Sequence, residues 1–186
     1  DSESICRPCH QNLPWIRRAC PDCAAPLTPA QPASVPCALC QSRPLPVARV
    51  VAPLHYEFPV DVLLKTFKYR QRIDLAPALA GLILPLLESD CPNPDALVPV
   101  PLHRWRHARR GFNQAAELAR AIGRKTGLPV VDGMIRDRMT RPQSGLDAKA
   151  RNRNLQGAFS TQRRFDIRHA LLIDDVMTTG ETCRAV

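Results

Sequence analysis

Twelve consecutive residues late in the chain carry the densest chemistry: Leu171-Leu172-Ile173-Asp174-Asp175-Val176-Met177-Thr178-Thr179-Gly180-Glu181-Thr182. Adjacent carboxylates can accept hydrogen bonds from the two hydroxyls of a ribose. Small hydroxyl residues leading into a helix start offer O–H donors, unpaired backbone N–H groups and a positive dipole end, which together seat a phosphate. Gly180 would let the main chain approach that phosphate closely. The run has the form of a ribose-phosphate cradle. The plainer alternative is a strand-to-helix turn whose acids cap the helix that follows.

A second chemistry stands at the other end. Six of the eight cysteines form three Cys-x-x-Cys pairs within the first forty residues, Cys6/Cys9, Cys20/Cys23 and Cys37/Cys40. Each pair puts two thiolates on one tight knuckle, and two knuckles make the tetrahedral four-cysteine site that structural zinc prefers. Cys20, Cys23, Cys37 and Cys40 enclose a compact ribbon loop and are favoured as the complete site. Cys6 and Cys9 would then pair with ligands upstream of Asp1. The competing assignment closes a site from Cys6, Cys9, Cys20 and Cys23. Cys91 and Cys183 stand alone and read as buried or incidental thiols.

Two basic stretches complete the candidate chemistry. His103 to Arg110 holds four arginines and two histidines, and Arg136 to Arg168 holds nine Lys or Arg against three Asp and no Glu. Runs of this kind are ordinarily solvated surface. Both follow expected strand ends, where ligand-facing loops sit, so each is a candidate for contact with phosphates. Residues 140–149 have few apolar side chains and read as a lid near the phosphate site.

These residues need a frame to hold them. Leu171 to Ile173 suits a strand buried on both faces, as parallel sheets require, and ligands of open α/β sheets bind beyond the carboxyl ends of the strands. Upstream, Val47 to Leu54 reads as a strand and Pro59 to Tyr69 as a helix. Asp74 to Leu87 is an apolar helix, with Pro77 tolerated in its first turn and Pro85 ending or kinking it. Val98 to Pro101 is a short strand running into a turn. Residues 113–125 form a helix capped by Asn113, with Ala116, Leu118, Ala119 and Ile122 as its apolar stripe, and Leu128 to Ile135 is another strand. Alternation of strand and helix predicts an α/β fold with a mostly parallel sheet. Residues 1–48, rich in Cys, Pro and Ala and without sustained period, read as a separate cysteine-rich zinc ribbon ahead of the α/β domain at 49–186.

At 186 residues, with 26 Lys and Arg against 17 Asp and Glu, the formal charge is +9. A basic chain favours polyanionic partners, nucleic acid or a pyrophosphorylated sugar among them. Paired cysteines at ligand spacing favour metal over the disulfides of a secreted miniprotein. No apolar run approaches the length that spans a bilayer and the first residues are acidic and polar, which argues against a membrane anchor or a secretory signal. The sequence has no initiator Met and the helix expected after Gly180 has barely begun at Val186, so both ends are expected to continue in a longer protein.

The run from Leu171 to Thr182 resembles the phosphoribosyl pyrophosphate signature of type I phosphoribosyltransferases. With the cysteine knuckles, Val98-Pro99-Val100-Pro101-Leu102-His103, Arg109-Arg110-Gly111-Phe112-Asn113-Gln114, Gln143-Ser144-Gly145-Leu146, Arg151, Asn154 and Gly157-Ala158-Phe159, nearly the whole chain is similar to the ComF family. The resemblance implies a zinc ribbon joined to a type I phosphoribosyltransferase domain, a bacterial cytoplasmic location and, for competence members, a part in handling incoming single-stranded DNA, with competence proteins as partners. It implies that Asp174 and Asp175 hold the ribose hydroxyls on which activity would depend. Thr178, Thr179, Gly180, Glu181 and Thr182 would hold the 5-phosphate, and Pro101, Leu102 and His103 would meet the pyrophosphate. Arg109 and Arg110 would supply positive charge close by, and Arg141 through Arg151 would form the flexible hood. Zn2+ would be structural, and Mg2+ would accompany phosphoribosyl pyrophosphate. Displacing pyrophosphate from a ribosyl carbon spreads charge over sugar and leaving group, so such a site depends on Mg2+, arginines and a lid more than on a nucleophile. The alternative is a non-catalytic protein that keeps the pocket as a sensor and binds single-stranded DNA through its basic surfaces; a third role makes the ribbon a protein docking module.

Overall fold

Two hydrogen-bonded strands set the edge from which the twin acids leave the sheet. In the computed structural model, which describes residues 5–91, 93–136, 158–161 and 166–186, β1 (Ala96–Pro99) and β4 (Ala170–Ile173) run parallel, with Leu97 opposite Leu171 and Pro99 opposite Ile173. The ladder continues one step further, where the Val100 amide donates to the Ile173 carbonyl at 2.9 Å. On its other side β1 exchanges hydrogen bonds with Pro129 and Val131, a single parallel bridge at Val130. A small antiparallel pair, β2 (Met134–Arg136) with β3 (Phe159–Thr161), stands apart from it. The architecture is α/β with a small parallel sheet.

Helices cover that sheet. α3 (Val60–Tyr69) leads through a 3₁₀ turn at Ile73–Leu75 into α4 (Ala76–Asp90), which packs on α6 (Gln114–Thr126), and α6 packs on β1 and β4. Among the described residues, Phe67, Leu97 and Ile122 are the largest fully enclosed side chains, and they lie in one core with the apolar side chains of α4. Burial of each contributes about 1.5–3 kcal/mol. Asn113 fixes where α6 begins: its Oδ1 accepts from the Ala115 amide at 3.1 Å while its Nδ2 donates to the Val100 carbonyl at 3.0 Å. One side chain thus caps a helix and fastens the exit of β1.

Several expectations need correction. Val47 to Leu54 is no strand; it lies along the cysteine-rich segment through separate bonds, Val50 N–H to Asp22 and Ile16 N–H to the Pro53 carbonyl, with one bridge at Leu54. Pro46 and Pro53 lack the N–H groups a ladder needs. α4 runs through Pro85 to Asp90 rather than ending there, because Leu79, Ala80, Leu82 and Leu87 bury on the common core and tertiary packing overrides propensity. The expected strand from Leu128 to Ile135 divides between the bridge at Val130 and β2. After its first residue, His103, the first basic stretch is a helix, α5 (Arg104–Arg110), in which no residue is buried.

The cysteine-rich segment holds two five-residue helices, α1 (Arg7–Gln11) and α2 (Ala38–Ser42). Little of it is apolar interior. Among the described residues no helix is long and apolar enough to cross a membrane.

Candidate ligand cleft and four-cysteine centre

Parallel pairing in register brings two loops to one edge. Because Pro99 lies beside Ile173, the loop from Val100 to His103 and the acids Asp174 and Asp175 leave the sheet side by side. This is where ligands of open α/β sheets sit. A cavity of about 850 Å³ reaches this edge from between the cysteine-rich segment and the α/β part, lined by residues 45–56, by apolar side chains of α3 and α4, by Val100 and by the run from Asp174 to Arg184; Pro101 to His103, Arg109 and Arg110 are not among its walls.

The two acids have different surroundings. Asp175 is almost enclosed, its side chain 6% exposed, and Lys68 Nζ from α3 stands 2.6 Å from its Oδ2, an ion pair whose alignment falls outside hydrogen-bond geometry. Asp174 keeps open surface yet is closely surrounded by protein, as a group on the floor of a concavity would be. Burial pushes its carboxyl up to about 6, against the opposing pull of Lys68 and Arg136. Its Oδ1 accepts from the Asp175 amide at 2.8 Å. Burial likewise lowers Lys68, with Asp174 opposing and Arg110 adding to the fall.

Behind the acids the backbone turns into α7 (Glu181–Ala185) at Gly180, which adopts φ 73°. The positive φ favours glycine there, and a Cβ would lie 2.7 Å from Leu45 Cδ2, so any side chain would push the Leu45 tip of the cysteine-rich segment aside. Thr178 is exposed and Thr179 and Thr182 are half-buried. Glu181 is buried, its carboxylate accepting from Arg43 Nη1 at 2.6 Å and from Nη2 at 3.3 Å. What Glu181 offers the loop is its backbone N–H, because its side chain is committed to Arg43.

On the facing loop, His103 is 4% exposed and caps α5, its Nδ1 accepting from the Trp105 amide at 3.3 Å. Pro101 and Leu102 are half-buried and Arg109 is exposed. Arg110 donates to Gln114 Oε1 at 2.5 Å and lies 5.4 Å from the centre of the Tyr69 ring. The hood residues from Arg141 to Arg151, with Gln143, Ser144, Gly145, Leu146, Asn154 and Gly157, fall outside the described residues.

The cysteines divide cleanly. The Sγ atoms of Cys20, Cys23, Cys37 and Cys40 all lie within 4.8 Å of one another. Sulfurs of a tetrahedral zinc with bonds of about 2.3 Å are about 3.8 Å apart, and Cys23 and Cys37 stand at 3.8 Å. Burial opposes ionisation of Cys20, yet backbone N–H groups of Cys37, Cys23 and Asp22 outweigh it and pull the thiol down to about 7. Cys40 is pushed up by burial and by the neighbouring Cys23 and Cys37 thiols. Four crowded sulfurs with backbone donors aimed at one of them fit a structural zinc. Cys6 and Cys9 are exposed and stand outside this cluster.

Comparison with known proteins decides the family. The chain is 34% identical over 186 residues to the DNA utilization protein YhgH of Escherichia coli O157:H7, and 35% identical over 184 residues to that of Salmonella typhi; each match covers 96% of this chain and 80% of the relative. It is also 35% identical over 142 residues to Competence protein F of Haemophilus influenzae, covering 71% of this chain and 62% of that protein. The chain belongs to the ComF family. No family model and no solved structure matches it.

Within this ComF-family chain, three residues of the site escaped the sequence. Lys68 was visible only as one cation among Lys65, Lys68 and Arg70 on α3, and nothing local to it signals an acid more than a hundred positions away. Arg136, at the end of β2, is buried, and burial first, with Arg106 adding, lowers its guanidinium to about 10. Arg43 had no signal beyond its place just after Cys40.

Proposed function

We propose that this protein binds phosphoribosyl pyrophosphate with Mg2+ and acts as a type I phosphoribosyltransferase or a close catalytic relative. The observation that supports it most directly is the register of β1 and β4, which sets the loop from Pro101 to His103 next to Asp174 and Asp175, with Lys68 and Arg136 close enough to act electrostatically on Asp174. In this reading the acids face the ribose hydroxyls, and the amides and hydroxyls from Thr178 to Thr182 face the 5-phosphate. The loop from Pro101 to His103, with Arg109 and Arg110, faces the pyrophosphate. Carboxylates beside phosphates are suitable oxygen ligands for Mg2+, and the ion would neutralise charge on the departing pyrophosphate. Residues 1–48 act as the zinc ribbon and 49–186 as the transferase-like domain, in the cytoplasm of a bacterial cell. Relatives named for DNA utilization and competence tie the role to DNA uptake.

Calorimetric titration of phosphoribosyl pyrophosphate with Mg2+ tests the pocket. Wild type should bind and Asp175→Ala should not; equal binding by both removes the assignment. Release of pyrophosphate on adding one of a panel of nucleobases then separates a transferase from a sensor.

A second reading, single-stranded DNA binding, is favoured by one feature of the surface. α5 carries Trp105, 64% exposed, and Arg106, Arg109 and Arg110 along one arc, and Arg110 adjoins Tyr69, 70% exposed. Aromatic rings beside arginines stack bases and hold phosphates. Oligonucleotide affinity that falls steeply with salt and drops in Trp105→Ala supports this role; no measurable affinity at low salt ends it.

A further inference from the structure

We propose that the cysteine-rich segment is a working part of the phosphate-facing loop: Arg43 is a positioning residue for Glu181, and metal occupancy of the four-cysteine cluster is thermodynamically linked to anion binding at Thr178 to Thr182. The inference rests on the ligand reading above and deepens it by naming how that site is regulated.

The connection is short and continuous. α2 carries Cys40 and starts directly after Cys37, so two of the four thiols fix its place, and Arg43 closes it with an amide bonded to the Leu39 carbonyl at 2.9 Å. From there the Arg43 guanidinium grips both oxygens of Glu181, whose side chain is only 4% exposed. α7 answers in the other direction: Arg184 donates to the Arg43 carbonyl at 2.7 Å and to the Pro44 carbonyl. Leu45 then lies against Gly180. Three consecutive residues, Arg43 to Leu45, clamp the loop from outside.

Two physical arguments make this clamp functional. An acid at the first position of a five-residue helix repels an incoming phosphate unless its charge is met, and Arg43 with Arg184, whose Nε is 3.7 Å from Glu181 Oε1, meets it. Gly180 provides no side-chain cap, so the direction of the α7 amides is not fixed within the loop itself. α7 is held instead through its side chains, by the Arg43 guanidinium on Glu181 and by Arg184 on the Arg43 and Pro44 carbonyls. Whatever loosens α2, loss of its metal above all, frees Glu181 and the amides behind it. By reciprocity an anion seated on those amides holds α2, and with it the thiols, in place.

The test uses the full chain, zinc-loaded and after removal of zinc by a chelator. Amide hydrogen exchange at residues 180–184 should quicken on chelation and in Arg43→Ala, with zinc content in the variant unchanged. Phosphoribosyl pyrophosphate should bind about tenfold more weakly in Arg43→Ala, in the usual range of coupling between sites, with partial recovery in Arg43→Lys. Saturating ligand should slow zinc transfer to a chromogenic chelator in wild type and not in Arg43→Ala. Glu181→Gln, which removes the carboxylate charge while leaving an oxygen that can still accept from Arg43, serves should Arg43→Ala fail to fold. Exchange and affinity indifferent to both zinc and Arg43 would overturn the proposal. If wild type binds no phosphoribosyl pyrophosphate, the ligand reading and the linkage to it fall together, while the exchange data alone report whether Arg43 fastens the loop.

Discussion

The two halves of this chain are held together by different means. Between residues 5 and 48 the buried apolar residues are Leu13, Cys20, Ala24 and Cys40, and two of those four are themselves thiols of the cluster. The α/β part encloses Phe67, Leu97, Ile122 and a continuous set of aliphatic side chains from α3, α4 and α6. The first half is tied chiefly at its thiols, with Leu13 reaching into the common core, and the other is packed through a volume. A point tie fails all at once when its ligands go, whereas a packed core loses stability in proportion to what is removed.

The largest expected effect tests the tie. Structural zinc in such peptides is worth on the order of 10 kcal/mol, so chelation, or Cys20→Ser, should abolish protection of the cysteine-rich segment in hydrogen exchange while α6 stays protected. Loss of protection in both together would show that the two halves do not differ in this way. In the packed half, Phe67→Ala should cost about 3–5 kcal/mol in denaturant unfolding without loss of zinc. A smaller effect distinguishes the cleft floor from both. Burial raises Asp174 to about 6, so the folded chain holds a proton that the unfolded chain gives up, and this group lowers stability as pH rises from about 4 to 6. A ligand that needs the carboxylate should therefore bind about tenfold more weakly per pH unit below 6, and Asp174→Asn should flatten that profile. The smallest concerns Asn113: Asn113→Ala should cost about 1 kcal/mol for the lost cap and loosen the exit of β1, read as faster exchange at the Ala115 amide.

What the sequence revealed follows the range of each interaction. The cap at Asn113, the apolar stripe of α6 and the four-cysteine grouping are encoded within a few tens of residues, and they stand as expected. The strand before the acids was legible too, because an apolar run stopped by two carboxylates is a local pattern, but its burial on both faces was not borne out: Leu171 and Leu172 are half-buried and only Ile173 is buried. Long-range pairings were not. Lys68 meets Asp175, and Arg43 meets Glu181 across 138 positions, and no spacing rule joins them. The same Glu181 was read only as a member of the phosphate run, although its side chain serves the ribbon. His103 to Arg110 looked like a charged loop because it lacks an apolar stripe; it is a helix whose start is fixed by a side chain it carries in from the strand end.

Lys68 gives Asp175 a built-in counter-ion. A guest that claims Asp175 Oδ2 competes with the ammonium already there, so its occupation is a swap rather than an addition. A lone monovalent cation gains little by that trade, while a guest bringing both a divalent ion and phosphates offers the acid a new partner and the displaced lysine a new one as well.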